Sequence, residues 1–416
     1  MTGTGTKAGR RAAITGIGVV APNGLGTDGF WKATCEGTSV LAPIDRDGCD
    51  GYPLRIAGLI KGFDAAQFVE ERVLVATDRF THFALAAAGL ALADSGVPTG
   101  QDADPFGIGV VTAAGSGGGE FGQRELQQLW SQGPHHVGPY QSIAWFYAAS
   151  TGQISIRGGF KGPCGVVASD EPGGLDALAH AARDVRRGSS AVVAGAAEAP
   201  VAPYSMVCQL GYPELSTATE AGAAYLPFTK QAAGFVPAEG GAFFVVEDEA
   251  TARARGAQIR ALIAGHAATF TGASRWADSR DGLAHAIRAA LAEAECAPQE
   301  VDVVFADALA VPEADRAEAL ALADVLGAHA ARVPVTAPKA GTGRASCGSS
   351  ALDTAAAVLA LEKGLIPPTP NVAGCVYDLD LVTGLARVGA PRTALVLSRG
   401  LMGSNSALLL RRGSES

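Results

Sequence analysis

The chain has 416 residues, of which 48% are hydrophobic and 18% charged, and its formal net charge is −9. Such a chain can bury a large core and is long enough for two halves, while its acidity argues against nucleic acid or an anionic membrane as the main partner. Its seven cysteines are scattered without C-x-x-C pairs or nearby histidines, a pattern that argues for reduced thiols in a cytosol and against a metal site.

Residues 1–9 are expected to be flexible and run straight into the strand-like AAITGIGVV at 12–20. A helix is predicted over 81–95 and a strand over 106–112. At 162–178 the chain reads GPCGVVASDEPGGLDAL: a short β-prone run at 166–168, capping residue types at Ser169 and Asp170, and a helix over 175–187. Strands follow at 191–194 and 242–246. After the charged stretch EDEATARARGAQ the alternation resumes with a strand at 259–264, a helix over 282–295, a strand at 301–306, a helix over 352–363, and strands at 394–398 and 406–410. The pattern is α/β and its second half echoes the first, which gives expected halves at 10–250 and 251–412 with a tail at 413–416. Neither a secretory leader pattern nor an apolar span of membrane length is visible, so the expected location is cytoplasmic.

The junction at 162–178 has the layout of a nucleophile elbow, with Glu171 at the reactive position. Unpaired N–H groups and the positive dipole end of a helix start would make a cysteine there a reactive thiolate. For a glutamate they favour ionisation, and an ionised carboxylate held by backbone donors is a poor nucleophile. In the simpler reading Asp170 and Glu171 only serve the helix N-terminus, and no catalysis is involved.

Together with the elbow, the opening RRAAITGIGVVAPNGLGTDGFWKATCEGTS, the segment YLPFTKQAAGFVPAEGGAFFVVEDEATARARGA and the ending ALVLSRGLMGSNSALLL resemble a β-ketoacyl synthase of the thiolase fold. The stretches EFGQRELQQLW and AWFYAASTGQISIRGG narrow the resemblance to the chain-length factors, the non-condensing β-subunits of the ketosynthase pair in bacterial type II polyketide synthases. The resemblance implies two pseudo-symmetric βαβ-rich halves in a layered α-β-α-β-α arrangement. It also implies a heterodimer with a ketosynthase α-subunit and a polyketide intermediate housed in a shared tunnel. An acyl carrier protein would present substrate on its phosphopantetheine, and the chain would need no cofactor of its own; the negative net charge does not exclude docking of an acidic carrier on a local basic patch.

A decarboxylating condensation needs a thiolate, donors for the thioester oxyanion, and imidazoles that help expel carbon dioxide and stabilise the enolate. By the resemblance, the first histidine position is Asp307 in VVFADALAVPEADRAEA, and the second is Arg344 in PKAGTGRASCG, which retains Lys339. With Glu171, Asp307 and Arg344 in these places, no thiolate or neutral base remains near pH 7, so a catalytically silent subunit is expected. Buried charges persist only when paired; Arg344 is expected opposite Asp307 or Glu171, and Lys339 with Glu318 or Asp307. Chain-length factors commonly carry glutamine at the Glu171 position, which has been linked to decarboxylating malonyl carrier protein as a priming step. An ionised glutamate only accepts hydrogen bonds and would repel the malonyl carboxylate, so priming is an alternative that requires burial to keep Glu171 protonated. A second alternative keeps the pair but changes its product to a reduced polyene.

The family's tunnel-gate positions map onto Gly119, Gly122 and Leu126 in GGGEFGQREL, spaced by three and four and so on one helical face. Glycine at two of them predicts a deep tunnel and a long polyketide, a decaketide or longer. The alternative makes the glycines a loop end and Leu126 core. Trp145, Phe146 and Tyr147 are expected at the same interface, with at least one in ordinary packing because three adjacent aromatics cannot share a helix face. Weaker leads are the G-x-G-x-x-A pattern of Gly16, Gly18 and Ala21, which Pro22, Asn23 and Gly24 interrupt. Others are Cys164 and Cys347 as displaced nucleophiles, neither at a predicted helix start, the loop histidines His135 and His136, and Leu401, where an aromatic gate often stands.

Overall fold

The computed structural model describes residues 9–272 and 275–413, so the expected flexible N-terminus and tail lie almost wholly outside the described residues. Leaving aside two-residue strands, the first half contributes β1 (Ala12–Ala21), β2 (Ile108–Ala113), β3 (Cys164–Val167), β4 (Ala191–Glu198) and β5 (Gly240–Asp248) to the main sheet. Five more follow: β6 (Ala261–Phe270), β7 (Val303–Phe305), β8 (Pro334–Thr336), β9 (Thr393–Arg399) and β10 (Ser404–Arg412). Their spatial orders, β3-β2-β4-β5-β1 and β8-β7-β9-β10-β6, are one permutation used twice. The senses repeat as well, because β2 runs parallel to β3 and β4 as β7 does to β8 and β9, and the remaining pairs are antiparallel. The halves join where β1 pairs with β6 at Ala12↔Ile263, Ala13↔Leu262 and Ile14↔Ala261.

Eight helices matter for the site: α1 (Arg79–Ser95), α2 (Gly119–Gln132), α3 (Ala149–Gly158), α4 (Gly173–Arg187), α5 (Pro203–Gln209), α6 (Ser279–Glu293), α7 (Pro312–Leu326) and α8 (Cys347–Lys363). α4 and α8 pack on each other and on strands of both halves, whereas α1 covers β1, β4 and β5 and α6 covers β6 and β10. This gives the five-layer order expected from the resemblance. α8 is buried without a break from Cys347 to Leu361, the mark of a helix enclosed on every side, and its polar Ser350 and Asp353 find partners inside. Small residues set the layer spacing: a Cβ on Gly174 would stand 2.6 Å from Ser350 Oγ, and one on Gly18 would stand 1.9 Å from Ala87 O. Gly16, Gly18 and Ala21 therefore sit inside β1, and the two glycines let α1 lie close against it. Among the described residues no helix is long and apolar enough to cross a membrane.

Candidate functional site

The elbow forms where β3 ends and α4 begins. Glu171 is only 5% exposed; its main-chain oxygen accepts a 2.6 Å bond from Ser350 Oγ at the start of α8, while its Oε2 has no hydrogen-bond partner. Burial, reinforced by Asp170 and opposed by Arg344, pushes the Glu171 carboxyl up to about 7. This corrects the expectation of an ionised glutamate: desolvation outweighs what the helix start offers. Pro172 follows with φ −66° and leads into the first turn of α4. Asp170 does not cap that helix with its side chain, since its oxygens accept from Met402 N at 3.3 Å and Ser404 Oγ at 2.7 Å and so pin the 400–404 loop to the elbow. Leu401, in that loop, is half-buried.

The expectation that neither candidate cysteine opens a helix fails for Cys347, the first residue of α8. It is nonetheless no nucleophile. Its thiol donates to the main-chain oxygens of Ser169 and Asp170, at 2.9 and 3.0 Å, and burial, then Glu198, Glu171 and Asp170, push it well above the ordinary thiol range. Cys164 is exposed at the start of β3, and His135 and His136 are exposed in a short turn.

Across from the elbow lies a buried ionic cluster. Asp307, at the end of β7, accepts from Arg344 Nη2 (3.0 Å), Arg399 Nε (3.1 Å) and Arg399 N (2.9 Å), and its main-chain oxygen accepts from Arg344 Nη1 (2.9 Å) and Lys339 Nζ (3.2 Å). Against a desolvation that would raise it, Arg344, Arg399 and Lys339 hold the Asp307 carboxyl down at about 2. Glu318, on α7, accepts from Asp307 N (2.7 Å), Ala308 N (2.9 Å) and Arg399 Nη2 (3.0 Å). Burial pushes Glu318 up, but both its oxygens only accept, one of them from a guanidinium, which favours the carboxylate. Lys339 pairs with Asp353 at 2.5 Å rather than with Glu318 or the Asp307 carboxylate. Three buried cations thus face three buried carboxylates. Burial pushes Glu171, and Asp315 on α7, up to about 7 and Asp353 up as well, the last against the opposing charge of Lys339.

The sequence reading missed Arg399 and Asp353. Each carried a signal: an arginine closing the apolar run ALVLSR, and an aspartate inside the small-residue helix that begins at Cys347. Around the cluster the backbone is strained. Ala308 and Ala310 adopt φ of +52° and +61°, and Ser346 +48°, the left-handed region that L side chains disfavour. Asp315 steadies this turn by accepting from Ala310 N at 3.0 Å and Phe228 N at 2.7 Å, and Tyr225 donates to Ala308 O at 2.9 Å.

The gate residues lie on α2, which Gly115 links to the elbow: a Cβ there would meet Ser169 O at 2.8 Å. Gly119 and Leu126 front α5, with a Cβ on Gly119 falling 2.4 Å from Ser205 Oγ, whereas Gly122 faces Trp145 and Gln141 with 3.6 Å or more of room. The expected single face is therefore two adjoining ones. Leu126 is exposed and lines an open concavity of about 510 Å³ with Gln123, Gln127, Trp130, Ser131 and Tyr204. Trp145, Phe146 and Tyr147 follow the short helix Gln141–Ala144, and all three are exposed, with consecutive ring centroids 6.2 and 4.6 Å apart. The expectation that one of them packs inside is corrected, because the segment is a turn rather than a helix face.

The family models "Beta-ketoacyl synthase, N-terminal domain" and "Beta-ketoacyl synthase, C-terminal domain" match residues 9–252 and 260–373. A Streptomyces coelicolor protein named "Putative polyketide beta-ketoacyl synthase 2" is 70% identical over 413 residues, covering 99% of this chain and 97% of its own. The "Tetracenomycin polyketide synthase ketoacyl synthase beta subunit" of Streptomyces glaucescens is 50% identical over 403 residues, 96% of this chain and 98% of its own. Among solved structures, "The ishigamide ketosynthase/chain length factor" superposes with a TM-score of 0.87 at 25% identity, covering 97% of this chain and all of that one.

Proposed function

Because the chain belongs to the β-ketoacyl synthase family, what stands at its catalytic positions sets its role, and we propose that it is a chain-length factor. It does not condense; it pairs with an active ketosynthase and walls the tunnel that receives the growing polyketide. The observation that carries this reading is the Asp307, Arg344, Arg399 and Glu318 cluster. At the positions of a catalytic imidazole pair stand charged groups bonded to one another: Arg344 and Arg399 to Asp307, and Arg399 to Glu318. Glu171 has no thiolate to offer and Cys347 holds its proton, so nucleophile and imidazoles must come from the partner.

The remaining role is shape. The exposed apolar surface of Leu126, Trp130, Tyr204 and residues 145–147 suits burial against a related subunit, and Gly122 leaves the wall beneath it open, whereas Gly119 is closed in by Ser205. A long product, a decaketide or longer, follows from that open wall. The boundaries 10–250 and 251–412 suit the repeated topology, and substrate would arrive on an acyl carrier protein.

The test compares this chain, its ketosynthase, and the co-expressed pair, each with malonyl-loaded carrier protein, reading products and assembly by mass spectrometry. Polyketide from the one-to-one pair alone supports the reading; condensation by this chain alone sinks it. Gly122→Phe in the pair is expected to shorten the main product without loss of assembly. The same change at Gly119 would also collide with Ser205.

A second reading is favoured by one observation. A Glu171 carboxyl that keeps its proton near neutrality can donate to a thioester oxygen as an amide does. Malonyl thioester would then lose carbon dioxide to leave an enolate, which takes up a proton to become the acetyl primer. If so, Glu171→Ala should lower acetyl-carrier formation by the pair, and an unchanged rate removes the priming role.

A further inference from the structure

We propose that Asp78 is a positioning residue for product length, because it caps the gate helix α2 from another helix. This rests on the gate reading above.

Asp78 stands at the N-cap of α1, where its Oδ1 accepts from Phe80 N at 3.2 Å. Its Oδ2 accepts from Phe121 N at 2.7 Å. Phe121 is the third residue of α2, whose N–H a helix's own N-cap side chain normally satisfies. The N-cap of α2 is Gly118 and offers no side chain. It cannot acquire one, because a Cβ there would stand 2.0 Å from Ala144 O and 2.8 Å from Trp145 Cα. The approach of the aromatic segment forbids a local cap, and the acceptor comes from 43 residues upstream.

One carboxylate, 4% exposed, therefore holds two helix starts. α1 lies on β1, β4 and β5 and is fixed by the core. α2 is otherwise tied mainly to peripheral segments: Tyr204 N donates to Gln123 Oε1 at 2.8 Å, Gly138 N donates to Glu125, and Gly118 N donates to Trp145 O at 3.1 Å. Glu198, at the end of β4, holds the lead-in to α2 by accepting from Gly115 N, Ser116 N and Ser116 Oγ, and the Asp78 bond is the buried link made inside the first turn itself, which references Gly119 and Gly122 to the rigid sheet. A wall that sets length must hold its position to a fraction of a carbon–carbon repeat, so loosening this link should broaden the product distribution rather than abolish synthesis.

Asp78→Ser separates the two bonds, since serine still caps α1 but cannot reach Phe121 N. Asp78→Asn keeps the volume and supplies only one acceptor. The control is Asp248→Asn, which weakens a buried cap elsewhere, where Asp248 accepts from Thr251 N at 3.2 Å. Each variant is co-expressed with the ketosynthase; native mass reports the pair and product mass spectrometry reports the ratio of the main chain length to all others. We expect that ratio to fall at least about threefold for Asp78→Ser and Asp78→Asn at retained pairing, and to stay unchanged for Asp248→Asn. An unchanged ratio in both Asp78 variants overturns the proposal whichever way Gly122→Phe behaves, whereas an unchanged product from Gly122→Phe alone removes the gate reading beneath it. Loss of pairing in both Asp78 variants also overturns it, because the residue would then serve the fold and not the wall.

Discussion

The buried cluster around Asp307 and the exposed surface around α2 follow opposite rules. In the cluster three cations and three carboxylates are out of water, with their charges held by mutual bonds, and the surrounding turn tolerates left-handed alanines. On the surface, large apolar side chains stand in solvent beside uncharged Gln123, Gln127 and Ser131. Charge that looks catalytic by position is here structural, and the apolar surface that looks unfinished is where the subunit's work is to be sought.

The largest effect that could break this contrast comes from inside the cluster. Arg399→Ala would leave Asp307 and Glu318 short of a shared guanidinium, and loss of about 3–5 kcal/mol of stability is expected, read from denaturant midpoints. A near-neutral variant would mean that the cluster is wet and its charges are not interdependent.

Next is Glu171→Gln. The folded chain holds this carboxyl up at about 7, above the usual value near ~4.3. The folded state therefore binds the proton more readily than the unfolded chain in between, and stability falls as pH rises through that window. Removing the acid is expected to stabilise the protein by roughly 3 kcal/mol at pH 8 and by much less at pH 4. Equal gains at both pH values would show that ionisation of Glu171 costs nothing.

On the surface side, Trp145→Ala is expected to weaken pairing with the ketosynthase by about 2 kcal/mol, roughly thirtyfold in Kd, with little change in the stability of the isolated chain. The reverse pattern would make Trp145 a packing residue. The smallest effect is Ala308→Gly, which relieves a left-handed alanine and is expected to add about 1 kcal/mol, unless the turn moves once released, which loss of the Tyr225 bond would reveal.

Much of this was legible in the sequence, for identifiable reasons. The elbow, its Glu171, and the substituted Asp307 and Arg344 are local motifs, and the long strands announce themselves by apolar runs. The strands β7 and β8, of three residues each, are too short to be bounded by pattern alone. α7 went unread although Pro312 and acidic residues in its first turn mark a helix start. The ionisation state of Glu171 depends on how deeply it is buried, and the bond between Asp78 and Phe121 depends on tertiary approach. Neither quantity exists in a linear pattern.

The Asp307 cluster also makes the loss of chemistry hard to reverse. A histidine at 307 would leave Arg344 without its carboxylate and Arg399 with Glu318 alone, and one at 344 would leave Asp307 with the guanidinium of Arg399 alone. Each single step back toward an imidazole passes through a chain with an uncompensated buried charge. The cluster therefore ties the two positions together: a folded chain with an imidazole at either one would need a second, compensating change.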